Sequence, residues 1–517
     1  MNQQFIQQWN ELQIDAKSND FKDLQSLFTG DNCRVDDLSF KVADIFVDFS
    51  KNWINKDILQ KLIELSRSAN LENKIKALFD GKEINVSERK AATHTIQRQS
   101  NSTKAMMSDR HKMLMVAENY RSGKWLSAFG KKVTTVVNIG IGGSYLGPKL
   151  AVEALSNCQT TNEIKILFYP SVDSATLKSI IQSTDLESTL FCIGSKSLGT
   201  IETARNTETV LTLLNNTDGY NPTATNQSFV AASANLAKAQ ELNIPESHIM
   251  PFDTATGGRF SVWSSIGFPV LMAIGEEKFL DFLSGAEIID KHFQNTKLEK
   301  NLPVVMALVS IWYRNFMALP AYAVIPYDMR LKSFPAWLQQ LMMESNGKMI
   351  DINGQNLSHS TSPWVFGDHG QLSQHAFFQA FHQGNDELPI DFIGVNEADD
   401  PNQDFLLINM LSQSAALMAG KDGGNLHNHC PGNRPSTTFL INSLTPSSLG
   451  QLLALYEHMV FVQSVIWNIN CFDQPGVELG KKMAREIVKH MQDDNIEQMN
   501  LDKSTYKLLS RVLKNGK

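Results

Sequence analysis

The sequence predicts an α/β protein, with parallel sheets flanked by helices in two domains, a helical N-terminal region and a C-terminal arm. Three observations lead there. At 517 residues the chain exceeds what one hydrophobic core usually accommodates. Around residue 133 short apolar runs begin, each ended by Gly, Pro or Ser and followed by helical periodicity, as buried parallel strands alternating with helices require. A second segment of the same kind starts after about residue 273.

Taken in order, Phe5, Trp9 and Leu12 open one amphipathic helix, and Ile58, Leu59, Leu62, Ile63 and Leu65 mark another. The first hundred residues therefore read as mostly helical scaffold. Strands are predicted at 133–141, 164–169 and 190–193, with a helix at 202–214. The most apolar tract, 302–327, reads as buried helix. Arg314, Asn315 and Pro320 interrupt it, so it lacks the roughly 18 uninterrupted apolar residues of a membrane span. Helices at 304–319 and 334–343 precede strands at 364–366 and 391–395, then helices at 405–419, 447–461 and 476–491. From Asp493 the chain turns polar and reads as an arm or a loose helix. No fixed-period repeat or low-complexity linker is present.

Composition narrows the function classes. Hydrophobic residues make up 42% and charged residues 20%, an ordinary globular mixture that excludes a disordered chain. The net charge of −7 gives no reason to expect nucleic acid or an acidic membrane as partner. The 5 cysteines are odd in number, scattered and never in a CxxC pair, which suggests a reducing compartment and no structural zinc. The polar N-terminus shows no secretory signal. His427-Asn428-His429-Cys430 superficially resembles a metal-ligand run, but nothing nearby repeats zinc spacing, and it reads as a loop.

Two turns carry the chemistry. Residues 136–148 run from an apolar strand into Gly140, Gly142 and Gly143 and then a helix, where backbone amides can approach an anion without Cβ interference. The dinucleotide pattern fails at Tyr145 and the P-loop pattern fails at Pro148. Residues 194–203 place Ser195, Lys196, Ser197 and Thr200 between another strand and another helix. Hydroxyls, backbone N–H groups and one ammonium there suit a phosphate monoester. The plainer alternatives are a tight strand-to-helix turn with no ligand for the first and an ordinary N-cap with spare serines for the second. Two such turns in neighbouring units favour phosphate.

Seven blocks in order then carry a family resemblance: NIGIGGSYLGP at 138–148, SKSLGTIET at 195–203, GGRFSVWSSIG at 257–267, MESNGK at 343–348, SQHAFFQAFHQG at 373–384, GNRPS at 432–436 and FDQPGVELGKKMA at 472–484. The chain resembles the glucose-6-phosphate isomerase (phosphoglucose isomerase) family. The resemblance implies two sugar-isomerase (SIS-type) domains: 1–104 as the helical N-terminal part of the large domain, 105–272 as the smaller domain with the phosphate turns, and 273–517 as the larger domain and arm. It also implies a cytoplasmic homodimer that interconverts glucose 6-phosphate and fructose 6-phosphate without metal or other cofactor, in glycolysis and gluconeogenesis. Neither nucleic acid nor membrane is an expected partner.

Carried over residue by residue, the resemblance puts phosphate on Ser195, Lys196, Ser197 and Thr200, with Gly143 and Ser144 also touching the sugar phosphate. Glu344 matches the catalytic base, Gln340 and Gln474 match substrate-contacting glutamines, and Arg259 matches the arginine beside the enediolate. His375, shared across the dimer interface, and Lys481 match the ring-opening pair. These residue types suit the task. One carboxylate can carry a proton between neighbouring carbons, a guanidinium can stabilise an enediolate, and an imidazole with a nearby cation can open a sugar ring. Where the family commonly has an acidic residue, Thr, Glu-Pro and Trp, this chain has Tyr145, Gly199, Asp368-His369 and Pro475. A non-catalytic sugar-phosphate binder and a metal-dependent hydride-shift isomerase are the competing readings.

Overall fold

Apolar, β-branched segments too short for helices become the strands of two sheets in the computed structural model. It describes the chain apart from residues 1, 19–20, 159–163, 221–227, 398–399, 493–498 and 516–517. The chain divides into two compact units, Met1–Phe472 and Asp473–Lys517. Both sheets belong to the first.

Strands β1 (Ser39–Val42) and β2 (Ile45–Asp48) form a hairpin, followed along the chain by β3 (Thr135–Ile139), β4 (Lys165–Phe168), β5 (Thr189–Gly194), β6 (Phe229–Ala232) and β7 (Ile249–Met250). Then come β8 (Ala321–Pro326), β9 (Trp364–Phe366), β10 (Ile390–Val395) and β11 (Ser436–Ile441). One sheet is wholly parallel in the order β4-β3-β5-β6-β7. The other runs β1-β2-β11-β10-β8-β9, four parallel strands extended by the antiparallel hairpin. Central strands such as β3, β5 and β10 are buried along their whole length, as helices on both faces of a parallel sheet demand.

Four sequence expectations are corrected. The hairpin Ser39–Asp48 lies inside a region read as mostly helical, because its apolar alternation is only four residues per strand. The tract 302–327 is not one helix. It is an α-helix Leu302–Ile311, a π-turn Trp312–Phe316 and then β8, which starts just after Pro320. A run apolar on every side has no period, so burial alone cannot separate helix from central strand. The helix expected at 334–343 changes at Gln339 from α to π geometry, which continues to Glu344. Strands β6, β7 and β11 were not foreseen. They are buried without polar alternation, and β7 is two residues long. In the second unit the helix expected at 476–491 is Gly476–Gln492, and the polar tail expected as an arm or a loose helix carries the helix Lys503–Asn515, with 493–498 outside the described residues.

The core is held by helix Pro446–Trp467 crossing helix Glu276–Asn295 at glycine contacts. A Cβ on Gly285 would fall 1.9 Å from the Ser447 carbonyl oxygen, and one on Gly450 would fall 2.1 Å from that of Phe282. Pro446–Trp467 is long and apolar enough to cross a membrane, but it is almost wholly buried inside this core. At its centre Arg98 bonds Asp290 (Nε to Oδ2, 2.7 Å; Nη2 to Oδ1, 2.5 Å) and Glu457, whose other oxygen accepts from Trp263 Nε1 at 2.9 Å. Burial pushes Glu457 up to about 7. Asp290 is desolvated too, but the Arg98 guanidinium outweighs this and holds it down to about 2. Arg98→Leu would take the guanidinium from two buried carboxylates, leaving Glu457 only Trp263 Nε1 and Asp290 only His458 Nε2 at 2.7 Å, and is expected to cost about 3–5 kcal/mol, read as a lowered urea midpoint.

Candidate active site

The C-terminal ends of β3 and β5 place the glycine turn and the serine-rich turn side by side. The strands pair in parallel with Ile139 opposite Ile193. A Cβ on Gly194, the last residue of β5, would lie 3.5 Å from the Ser144 Cβ at the start of helix Gly143–Ala154. Asn138, at the end of β3, donates from Nδ2 to the Ser144 carbonyl at 2.9 Å and so ties strand to helix. Gly142 has φ +58°, and the Cβ built on Gly143 would collide with the Gly258 carbonyl oxygen at 2.0 Å. Only glycine allows the loop carrying Arg259 to approach this helix end so closely.

In the second turn Ser195 is buried, and its Oγ accepts from Leu198 N–H at 3.1 Å. Ser197 Oγ accepts from Gly199 N–H at 3.2 Å. Thr200 is the N-cap of helix Ile201–Asn215, and its hydroxyl makes no capping bond. Lys196 is half-buried. Burial pulls its ammonium below the ordinary lysine value, with Lys90 adding to the effect and Glu88 and Asp253 opposing it. A cation partly stripped of water is suited to an anionic ligand.

Opposite the glycine turn, the π-turn Gln339–Glu344 brings Gln340 and Glu344 onto one face, and Gln340 Nε2 donates to Glu344 Oε2 at 2.8 Å. The position a Gly142 Cβ would occupy is 3.0 Å from Gln340 Nε2. Gln340 Oε1 is buried and has no hydrogen-bond partner. Glu344 Oε1 accepts from Arg259 Nη1 at 3.2 Å. The Arg259 guanidinium is buried and held on its other edges, by Ser345 Oγ at 2.6 Å from Nε and by the Cys471 carbonyl on Nη2. Lys348 Nζ donates to the Glu344 and Ser345 carbonyls at 3.1 and 2.7 Å, fixing the end of the π-turn.

The fold thus joins Gly143, Ser144, Arg259, Gln340 and Glu344, with the turn from Ser195 to Thr200 adjoining. His375 stands apart: it follows helix Gly370–Gln374, is exposed, and has no bond to Glu344. Gln474 and Lys481 belong to the second unit, where Lys481 Nζ pairs with Glu478 Oε1 at 2.8 Å. Ser345, Lys348, Asn138 and Cys471 went unassigned in the sequence reading. Ser345 and Lys348 stand within MESNGK, but the Cys471 contribution is a backbone carbonyl and leaves no side-chain signal.

Metal-ligating types converge elsewhere. Asp31, Cys33 and Asp37 come together, but Lys56 Nζ already pairs with Asp31 at 3.6 Å and Asp37 at 2.5 Å. His427 and His429 line an open hollow of about 610 Å³ with Arg434 and Glu387.

A parallel α/β protein with anion-suited turns beside a carboxylate, an amide and a buried guanidinium belongs to the class that handles small phosphorylated substrates. Comparison with known proteins narrows the class. The family model for phosphoglucose isomerase matches residues 48–509. A glucose-6-phosphate isomerase of Francisella tularensis is 41% identical over 95% of this chain and 96% of its own length. The glucose-6-phosphate isomerase 1 of Chromohalobacter salexigens is 40% identical over 98% and 94%. The crystal structure of a glucose-6-phosphate isomerase from Chlamydia trachomatis superposes with a TM-score of 0.86 at 31% identity, covering 98% of both chains. The chain belongs to the phosphoglucose isomerase family, enzymes that interconvert glucose 6-phosphate and fructose 6-phosphate.

Proposed function

We propose that this chain carries out the interconversion through a cis-enediolate and without a metal. The observation that carries the reading is the carboxylate of Glu344 held between Gln340 and the buried guanidinium of Arg259. Glu344 takes the proton from the carbon next to the carbonyl and returns it to the neighbouring carbon. Arg259 stabilises the enediolate charge as it develops, a role its permanent charge and fixed fork suit. The phosphate is held by Ser195, Lys196, Ser197 and Thr200, with Gly143 and Ser144 at the glycine turn and Gln340 and Gln474 on the sugar. His375 and Lys481 open the ring.

The test is turnover of fructose 6-phosphate in deuterated buffer with chelator. A carried proton exchanges with solvent, so deuterium is expected at C2 of the glucose 6-phosphate formed. Turnover lost in chelator and restored by added metal, with no deuterium in the product then formed, would establish a hydride shift instead. Bound sugar phosphate without turnover would point to a regulatory protein.

The homodimer, with His375 serving the neighbouring subunit, is part of the same proposal. Its support is that His375 is exposed and makes no bond to its own chain's Glu344. Mixing Glu344→Gln protein with His375→Ala protein is expected to restore part of the activity through hybrid dimers. No restoration after subunit exchange would refute the shared site. A cytoplasmic role in glycolysis and gluconeogenesis completes the reading, in keeping with five cysteines that form no disulfide.

A further inference from the structure

His369 is 3% exposed, and neither ring nitrogen makes a hydrogen bond. A neutral imidazole carries one donor and one acceptor, and buried polar groups are normally paired, so this ring calls for an explanation. It packs between the residues that follow β8 and the short helix Gly370–Gln374, with its centroid 6.4 Å from that of Tyr327. Backbone bonds lock the segment: His369 N–H donates to Asp368 Oδ1 at 2.7 Å, and the His369 carbonyl accepts from Ser373 N–H at 2.9 Å. A Cβ on Gly370 would fall 2.2 Å from the Tyr327 ring, and Gln374 Nε2 donates to the Tyr327 hydroxyl at 2.8 Å. His375 is the next residue, its N–H bonded to the Leu372 carbonyl at 3.2 Å.

The charged groups around the ring are Asp328 and Lys332, from the turn after β8, and Asp368 from its own loop. Asp328 is already bound by Arg330, at 3.0 Å from Nε and 2.6 Å from Nη2, and Arg330 also holds Glu397 at 2.9 Å. One oxygen of Asp368 is taken by the backbone. No carboxylate therefore bonds the imidazole as it stands.

We propose that His369 is a positioning residue for His375: the neutral ring packs helix Gly370–Gln374 against Tyr327, and a proton on that ring releases the helix and displaces His375. This rests on the reading of His375 as a ring-opening group. Burial lowers the proton affinity of His369, outweighing Asp328 and Asp368. The packed state therefore binds the proton less readily than the released state, whose histidine titrates near 6.5. The proton-linked stability of packing is fully present above that pH and declines as pH falls below it, the packing equilibrium weakening by up to about tenfold per pH unit for one proton.

The test uses the full chain with His369→Leu and His369→Pro, neither of which can titrate; proline fits the observed φ of −52° and on the backbone forgoes the N–H bond to Asp368. For each protein, kcat on fructose 6-phosphate is measured from about pH 5 to 8 relative to its own value at the upper end. Hydrogen exchange of the peptide spanning 366–378 is followed over the same range and corrected for the intrinsic rate. In the wild type, exchange in 370–375 is expected to rise as pH falls below about 6.5 and kcat to fall at the lower pH where the released state becomes populated, and both changes are expected to flatten in the variants. An unchanged acid limb in either folded variant, or an acid limb without increased exchange, would overturn the proposal. Full turnover in His375→Ala would instead sink the ring-opening role, leaving the exchange measurement to decide whether His369 releases the helix.

Discussion

Glu344→Gln is expected to lower kcat for fructose 6-phosphate by about 10²–10⁴-fold, the usual worth of a positioned general base, while sugar-phosphate binding persists. The substitution is nearly isosteric. Its oxygen can still accept from Arg259 Nη1, which now reaches Glu344 at 3.2 Å. The new amide nitrogen would face Gln340 Nε2, but a flip of the Gln340 amide turns its unpartnered Oε1 to that nitrogen. The loss is therefore one of proton acceptance rather than of folding. A stopped assay with a parallel calorimetric titration of the sugar phosphate separates the two. Weak binding together with lost turnover would move Glu344 from base to substrate anchor.

Arg259→Lys is expected to reduce kcat/KM by about 10²–10³-fold although the charge is kept. The guanidinium fork meets three partners at once: Ser345 Oγ, the Cys471 carbonyl and Glu344 Oε1. An ammonium is a point charge on a flexible stem and cannot span that set in one plane. If the charge develops beside Arg259 only in the transition state, kcat carries the loss and KM changes little. A loss confined to KM would assign Arg259 to substrate binding.

Much of the site was legible because its chemistry is carried by residue type and spacing. Gln340 and Glu344 are four residues apart, so α and π geometry both bring them to one face. That the turn there is π rather than α was not legible, since apolar periodicity at 334–343 looks the same for both. The glycines at 140–143 announced a close approach. What approaches, the Gly258 carbonyl, is a backbone atom more than a hundred residues away. β8 was hidden for a different reason: a strand paired on both sides and covered on both faces is as uniformly apolar as a core helix. The hairpin of β1 and β2 was hidden by its shortness.

The sequence by itself determined the fold class, the two strand-to-helix turns rich in glycine and serine, the family and the candidate acid–base residues, because these depend on local periodicity, glycine placement and ordered motifs. Only the tertiary structure decided that Arg259 pairs with a carboxylate 85 positions away and is steadied by a carbonyl 212 positions away. The same holds for His369, buried without a hydrogen bond beside Tyr327. Such contacts come from packing two sheets and their helices around a common core, where burial and neighbouring charge are set by residues that no local pattern connects.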